Sequence, residues 1–449
     1  MNVTAWVQRA AVCLMGLLVF SAAAVDPAIS DVVVRQRWPW SRQVDIDYLL
    51  SCEPEKRLDI TVKVFNGTDT EALSIPLNSL SGDLYGVSQG SRHIVWDPMK
   101  TGYTNEVLSQ LRVELASVPK PLYMIVDLTA PAGVSNQIEY VYEADLITNK
   151  WGSWERNFIQ TNGVTIVESV IWTDVTNDIY KTDQLVLRRV SSGTFYKGDS
   201  GIDTTTIDKD FYIGVFEVTQ RQWEQVAKDP LLAKPSNFYN AAYYATRPVE
   251  RISYYTIRED PTTTTGQDDP DVDWPSNTTV NADSFIGQLR AKTAIHDFDL
   301  PTEAQWECAC RAGTTTVFND GNADAICDIP GDVEGENNGL TNRYLTVLGR
   351  YLFNGGKSDG RTNPERTVST ASGTTYVGSF RPNAWGLYDM HGNVLEWCLE
   401  KSGSSSIRRM SRGGAWHNKA ESCHSVYRIT NEPDYRHGVQ GFRLVRHLP

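Results

Sequence analysis

The residues able to do chemistry in this chain gather between Leu300 and Arg446. In the stretch 383–397, NAWGLYDMHGNVLEW, Asp389 and Glu396 bracket Gly392 and Val394. A hard divalent cation takes about six to eight oxygens, and two carboxylates with the backbone carbonyls of Gly392 and Val394 can supply several. Glycine lets the backbone turn sharply around an ion. Spacing alone leaves a Gly-Asn turn carrying two solvated acids equally open. Further on, Arg412-Gly413-Gly414-Ala415-Trp416 precedes Cys423, and Gly441-Phe442-Arg443 closes the segment. The glycine pair suits a tight buried turn and Arg443 a hydrogen-bonded ion pair in a core. An anion- or peptide-binding role for either arginine is the functional alternative. A cysteine is, as thiolate, a nucleophile and a soft metal ligand. His391, His417, His424 and His437 fall nearby with neither HExxH nor other helical metal-ligand spacing.

These residues need elements to hold them. Thr219 with Gln222, and Thr302 with Gln305, have the capping-box spacing that starts a helix, and Val218 with Trp223 stands at the positions of a hydrophobic staple. The first helix is expected to run to about Lys228, and the second to stop at Gly313. Phe285, Ile286 and Leu289 predict another helix between them. Trp306 and Cys310, four apart, share a face, so Cys310 is expected toward the core. Cys308 points to a different side and should not pair with Cys310. Strands are predicted at 185–190 and 211–218. Residues 259–281, rich in Thr, Asp and Pro, read as an exposed insertion. Residues 319–376 form a long irregular stretch, of a kind that is functional, calcium-stabilised or disordered.

Upstream, residues 28–118 alternate apolar and polar side chains at 44–48 and 58–64. Turn signals stand at Asn66-Gly67, Ser81-Gly82-Asp83 and Gly90-Ser91, with later strands at 93–96 and 111–115. About seven short strands predict an all-β sandwich, immunoglobulin-like or fibronectin-like, with the role of a spacer or docking module. Residues 120–184 read as a β-rich connector that packs on the C-terminal domain.

In their order along the chain, Phe211-Tyr212-Ile213, Glu217-Val218-Thr219, Arg247-Pro248-Val249, 300–307 (LPTEAQWE), 383–397, RGGAW and Gly441-Phe442-Arg443 resemble the formylglycine-generating enzyme (sulfatase-modifying factor) family. The likeness runs through residues 185–447, and the domain is taken as 185–449. It implies an α+β fold related to C-type lectins, with little regular secondary structure. It implies structural calcium at Asp389, Gly392, Val394 and Glu396; the family's other calcium ligands have no match here. For active members it implies two cysteines, five residues apart after the RGG motif, that hold Cu(I) and oxidise a substrate cysteine with oxygen. The second of those positions is Cys423, and the first is Asn418. An amide is a poor ligand for a soft metal. Leu395 also stands where many members have Trp. Copper is therefore not expected, and Cys423 is either a free thiol or bonded to Cys398.

The whole-chain numbers fit. The 449 residues suggest about three domains as a prior. A net charge of −13 argues against a general nucleic-acid binder, which needs clustered cations. Arg9, the apolar run 10–20 and Ser21-Ala22-Ala23-Ala24 read as a secretory signal covering residues 1–25. That run is shorter than the about 20 apolar residues of a membrane span. The mature chain is thus expected to be secreted or periplasmic, with no membrane span after signal cleavage; an uncleaved anchor is the alternative. Cys13 leaves with the signal, and Cys52, Cys308, Cys310, Cys327, Cys398 and Cys423 remain with their connectivity open. The reading is a binding or interaction module offering a lectin-like groove to a peptide, glycan or protein partner. The alternative is an active oxidoreductase of the family. One form is a formylglycine-generating cysteine oxidase pairing Cys423 with Cys327 or Cys398. The other is a non-haem iron oxygenase like the related sulfoxide synthases, which leaves iron open.

Overall fold

The computed structural model describes residues 26–54, 56–73, 75, 79–101, 111–134, 136–161, 164–198, 203–227, 235–241, 243–259, 280–321, 344–355, 373–403 and 407–448. The expected signal, Lys228, most of the 259–281 insertion, Cys327 and most of the irregular stretch lie outside them.

In the N-terminal region, period-2 sequence becomes period-2 burial. Val44–Ser51 alternates buried and part-buried side chains along its length, so one face is committed to a core. Strands Ala28–Gln36, Val44–Ser51, Gly90–Trp96 and Leu80–Gly82 pair antiparallel in that order. Leu58–Asn66 and Leu111–Pro119 form a separate antiparallel ribbon. Val44, Ile46 and Ile94 from the sheet and Val64 from the ribbon share one core with Trp96. The described strands number six, against about seven expected.

The rest is built on a six-stranded antiparallel sheet. Its order is Phe298–Asp299, Val445–His447, Phe211–Gly214, Gln184–Val190, Pro121–Asp127 and Ile138–Tyr142. The segment expected as a connector therefore supplies two strands of the sheet itself. Its hydrophobic run lacks alternation because both faces are covered. Tyr123 and Ile125 face one core, with Val186, Phe211 and Trp306. Met124 and Val126 face the other, with Leu187, Trp223 and Phe285. A second sheet, in the order Arg428–Asn431, Arg409–Arg412, Leu395–Lys401 and Gln440–Gly441, ends in a parallel pair.

Both capping boxes form, at the starts of helices Gln220–Val226 and Glu303–Arg311. The second helix ends at Arg311 with Ala312 as its C-cap at φ 47°, which puts Gly313, at φ 92°, at the C′ position expected of it. Phe285–Thr293 is the helix expected from Phe285, Ile286 and Leu289. Among the described residues no helix is long and apolar enough to cross a membrane.

Arg189 ties the two regions together. Its guanidinium donates to both oxygens of Asp59 in the N-terminal ribbon, one at 2.7 Å, and to Asp210 at 2.9 Å. Lys120 reaches Asp210 at 2.7 Å. Burial pulls the Lys120 pKa down, against the pull of Asp210.

Candidate functional site

Two loops of the family signature meet behind the second sheet. The first, 388–396, is shaped by left-handed backbone at Asp389 (φ 57°), Gly392 (φ 94°) and Asn393 (φ 60°). Gly392 has no room for a side chain, since a Cβ there would lie 2.2 Å from the Arg350 carbonyl oxygen. Its N–H donates to Gly413 O at 2.7 Å, which clasps the first loop to the second.

Buried charge holds this loop. Arg443, fully buried, donates from Nη2 to Glu396 Oε1 at 2.8 Å and to Tyr388 O at 2.8 Å, and from Nη1 to Gly214 O at 2.9 Å. Burial opposes the charge on Arg443, and Glu396 more than restores it. Trp306 Nε1–H donates to Glu396 Oε2 at 2.6 Å. Glu217 closes the other side, accepting Asn393 Nδ2–H at 2.6 Å and Val394 N–H at 3.1 Å. Its carboxyl is pushed well above the usual range by burial, then by Asp389 and Glu396. Asp389 Oδ2 accepts Gly378 N–H at 2.6 Å, while Oδ1, equally buried, has no partner. Burial lifts the Asp389 pKa to about 6.

The expected calcium residues thus lie together on one loop, but not as four free ligands. Both Glu396 oxygens already accept hydrogen bonds, from Arg443 and from the Trp306 indole. Among the described residues no three His, Cys, Asp or Glu side chains assemble into a metal-binding group. The sequence motifs give Glu217 no role at the site, yet a signal exists: one acid inside the run FYIGVFEV (211–218) must be paired once that run is buried.

The second loop carries Asn418 and Cys423. Arg412 donates to Glu303 at 2.8 Å and to Glu307 at 3.1 Å, and so is structural. Gly414, at φ 72°, lies directly on Cys423: a Cβ there would stand 2.6 Å from Sγ. Cys423 is fully buried in a cluster with Phe318, Leu345, Leu348 and Tyr351, and burial pushes its thiol up to about 12. Cys398 is also a free, buried thiol, in a different core cluster, which removes the Cys398–Cys423 disulfide. Cys308 and Cys310 are free as well. Cys310 faces the core as expected, and Cys308 is buried too.

Asn418 is partly exposed. Its main chain is fixed by N–H to Ala415 O (2.9 Å) and by Leu352 N–H to its carbonyl (2.8 Å), whereas its Oδ1 has no partner. Nor has Nδ1 of the neighbouring His417, whose ring stands 5.5 Å from Trp416 and 6.1 Å from His437. His391 is buried behind the loop. Nε2 accepts from Asn319 N–H at 3.2 Å, so Nδ1 carries the proton and donates to Cys423 O at 2.8 Å. Burial depresses the His391 pKa to about 4, which keeps it neutral. Leu395 packs with Ala415, Trp416 and Val439 as an apolar wall.

The chain is 28% identical over 287 residues to the chaperone protein LppX of Paenibacillus barcinonensis, a match covering 59% of this chain and 90% of that protein. It is 28% identical over 174 residues to the formylglycine-generating enzyme of Mus musculus, covering 33% of this chain and 40% of the enzyme. Among solved structures, Treponema denticola variable protein 1 aligns over 66% of this chain and 99% of its own, with a TM-score of 0.40 and 20% identity. The family model of the sulfatase-modifying factor enzyme 1-like domain matches residues 175–448, more than half of the chain. By that match the protein belongs to the sulfatase-modifying factor family.

Proposed function

We propose that the C-terminal domain is a polypeptide-binding module without copper-dependent cysteine oxidation. One observation carries the reading: the first copper-ligand position is Asn418, and the thiol at the second, Cys423, is sealed under Gly414. A buried thiol held up near 12 is protonated at neutral pH, and the thiolate is the form that binds metal and reacts. A lone thiol also makes a weak Cu(I) site. In place of a redox centre the loop offers His417 Nδ1 and Asn418 Oδ1, both without partners and set beside Trp416. Polar groups taken from water seek partners, and an incoming main chain carries both donors and acceptors. The name of the LppX relative, a chaperone, agrees with a role in holding another protein. In this reading residues 1–25 direct the chain out of the cytoplasm, and the two N-terminal sheets form a small sandwich that spaces the domain from its surroundings.

Calcium belongs to the same proposal in reduced form. Asp389 Oδ1 and the carbonyls of Gly392 and Val394 would hold the ion, while Glu396 keeps Arg443.

The test is chemical. Mature protein loaded with Cu(I) and given a sulfatase-type cysteine peptide should give no aldehyde above a metal-free blank by mass spectrometry. Aldehyde formed in proportion to enzyme would overturn the proposal.

A further inference from the structure

One stretch of the N-terminal region has a composition unlike its surroundings. From Val32 to Val44 the chain reads VVVRQRWPWSRQV, with three arginines, two tryptophans and no acid, in a chain of net charge −13. The structure makes it the end of the first hairpin. Ala28–Gln36 pairs with Val44–Ser51, and Gln36 stands opposite Val44, so residues 37–43 form the turn between them. The turn is braced by its own backbone. Arg37 N–H donates to Gln43 O at 2.9 Å, and the N–H groups of Trp40 and Ser41 both donate to Arg37 O at 3.1 Å. Gln43 N–H adds a bond to Ser41 Oγ at 3.0 Å.

Its side chains face out. Four consecutive residues, Arg37 to Trp40, are exposed, Trp38 at 40% and Trp40 at 89%. Val44 pairs with Trp96, so the turn Pro98–Thr101 leaves the sheet at the same end and brings Met99, 56% exposed. Arg42 Nη1 joins the two turns at 3.1 Å from Met99 Sδ. The result is an apolar point with a collar of guanidinium groups. Arg35 pairs with Asp47, and Arg37 with Asp45. Exposed pairs of this kind add little stability, so a guanidinium can exchange its carboxylate for a phosphate at small cost. Asp97, at the same end, accepts from Met99 N–H at 3.2 Å. Three aspartates thus offset the three arginines, and the two indoles carry the larger drive to be covered.

We propose that this tip rests on a lipid bilayer surface, with Trp38, Trp40 and Met99 at the boundary of headgroups and acyl chains and the arginines on lipid phosphates. An indole is an apolar body with one polar N–H, and such rings gather where a bilayer meets water. Each buries about 150–250 Å² when covered. A narrow turn bearing two rings suits a fluid interface that closes around a point. A protein partner instead sets its anchors within a broad patch of about 800 Å² per side. The export reading of residues 1–25 brings a bilayer within reach, but lipid binding by the tip does not depend on it.

Vesicle flotation of the chain from Asp26, which keeps every described residue and omits the apolar run 10–20, tests it. The vesicles are phosphatidylcholine alone and an equal mixture with phosphatidylglycerol. The wild type should bind both, half-bound at about 1 mM accessible lipid or less. Trp40→Ala should weaken binding to both by about tenfold or more. Its melting temperature should stay that of the wild type, because the ring already lies in water. Arg35→Gln with Arg42→Gln should weaken binding to the anionic mixture by about fivefold or more. No flotation of the wild type with either vesicle at about 10 mM lipid would overturn the proposal. So would a Trp40→Ala protein, or the double arginine variant on the anionic mixture, that binds as the wild type does. A wild-type dimer that ignores lipid and is dissolved by Trp40→Ala would also overturn it, and would assign the tip to a second copy of the chain.

Discussion

The N-terminal sheets and the C-terminal domain bury different things. Among the described residues of the first region, the one buried charged side chain is Asp59, and its partner Arg189 comes from the other region. The core there is apolar, with Val44, Ile46, Val64, Ile94 and Trp96 at 0% exposure. The C-terminal domain instead buries Arg258, Arg350, Arg443 and Arg446 almost completely. Arg350 donates to the carbonyls of Gly373, Asn354 and Gly355, where loop backbone has no ladder to join. Regular strands satisfy their own backbone and need only apolar side chains inside. Loop-rich folds must find donors for their carbonyls, and a five-donor guanidinium answers several at once.

The sharpest way to break this contrast is to cut one residue from each core. Arg443→Met leaves Glu396 buried and unpaired, and should cost about 3–5 kcal/mol in chemical denaturation. Ile46→Ala, which opens a cavity with no charge exposed, should cost about 2–4 kcal/mol. Adding Glu396→Gln to Arg443→Met should recover part of the first loss. A double variant no better than the single would show that packing, not charge, sets the penalty.

Calcium sharpens the contrast next. If the 389–396 loop takes the ion, saturating calcium stabilises the protein by up to about 2.7 kcal/mol at a hundred times Kd. Asp389→Asn should remove most of that gain in a melting experiment with and without chelator, whereas Ile46→Ala should leave it intact. Equal stability in calcium and chelator for the wild type would remove the ion from the account.

A smaller effect comes from Glu250, fully buried with Oε2 unpartnered. Burial raises its pKa from 4.5 to about 7. Between those values the folded state holds the proton more tightly than the unfolded chain does, so this group lowers stability as pH rises. His391, depressed to about 4, acts with the opposite sign, which is why the comparison must be between proteins. Glu250→Gln should gain on the wild type by at most about 1.4 kcal/mol per pH unit between pH 4.5 and 7. Parallel stability curves for the two proteins would count against it.

The same contrast explains how much of the molecule is legible in its sequence. The N-terminal strands are legible because period 2 survives where a strand such as Val44–Ser51 buries one face and keeps the other wetter. The helix starts at Thr219 and Thr302 are legible because a capping box is local chemistry. Pro121–Asp127 reads as part of a connector because its partner, Gln184–Val190, is distant in sequence and no alternation marks a strand buried on both faces. The family resemblance points to Asn418 and Cys423. The sealing of Cys423 is hidden, because Phe318, Leu345 and Tyr351 come from a stretch with no periodicity to announce a core. Glu217, Glu250 and Asn319 escape notice because single polar residues reveal their burial only in three dimensions.

Cys423, above all, is packed beneath Gly414, and burial pushes its thiol up to about 12. Native alkylation with iodoacetamide at about pH 8, near the ordinary thiol pKa, mapped by peptide mass spectrometry, addresses this directly. Cys423 should stay unmodified in the folded protein and react completely once denaturant is added. Rapid labelling of Cys423 under native conditions would contradict the account.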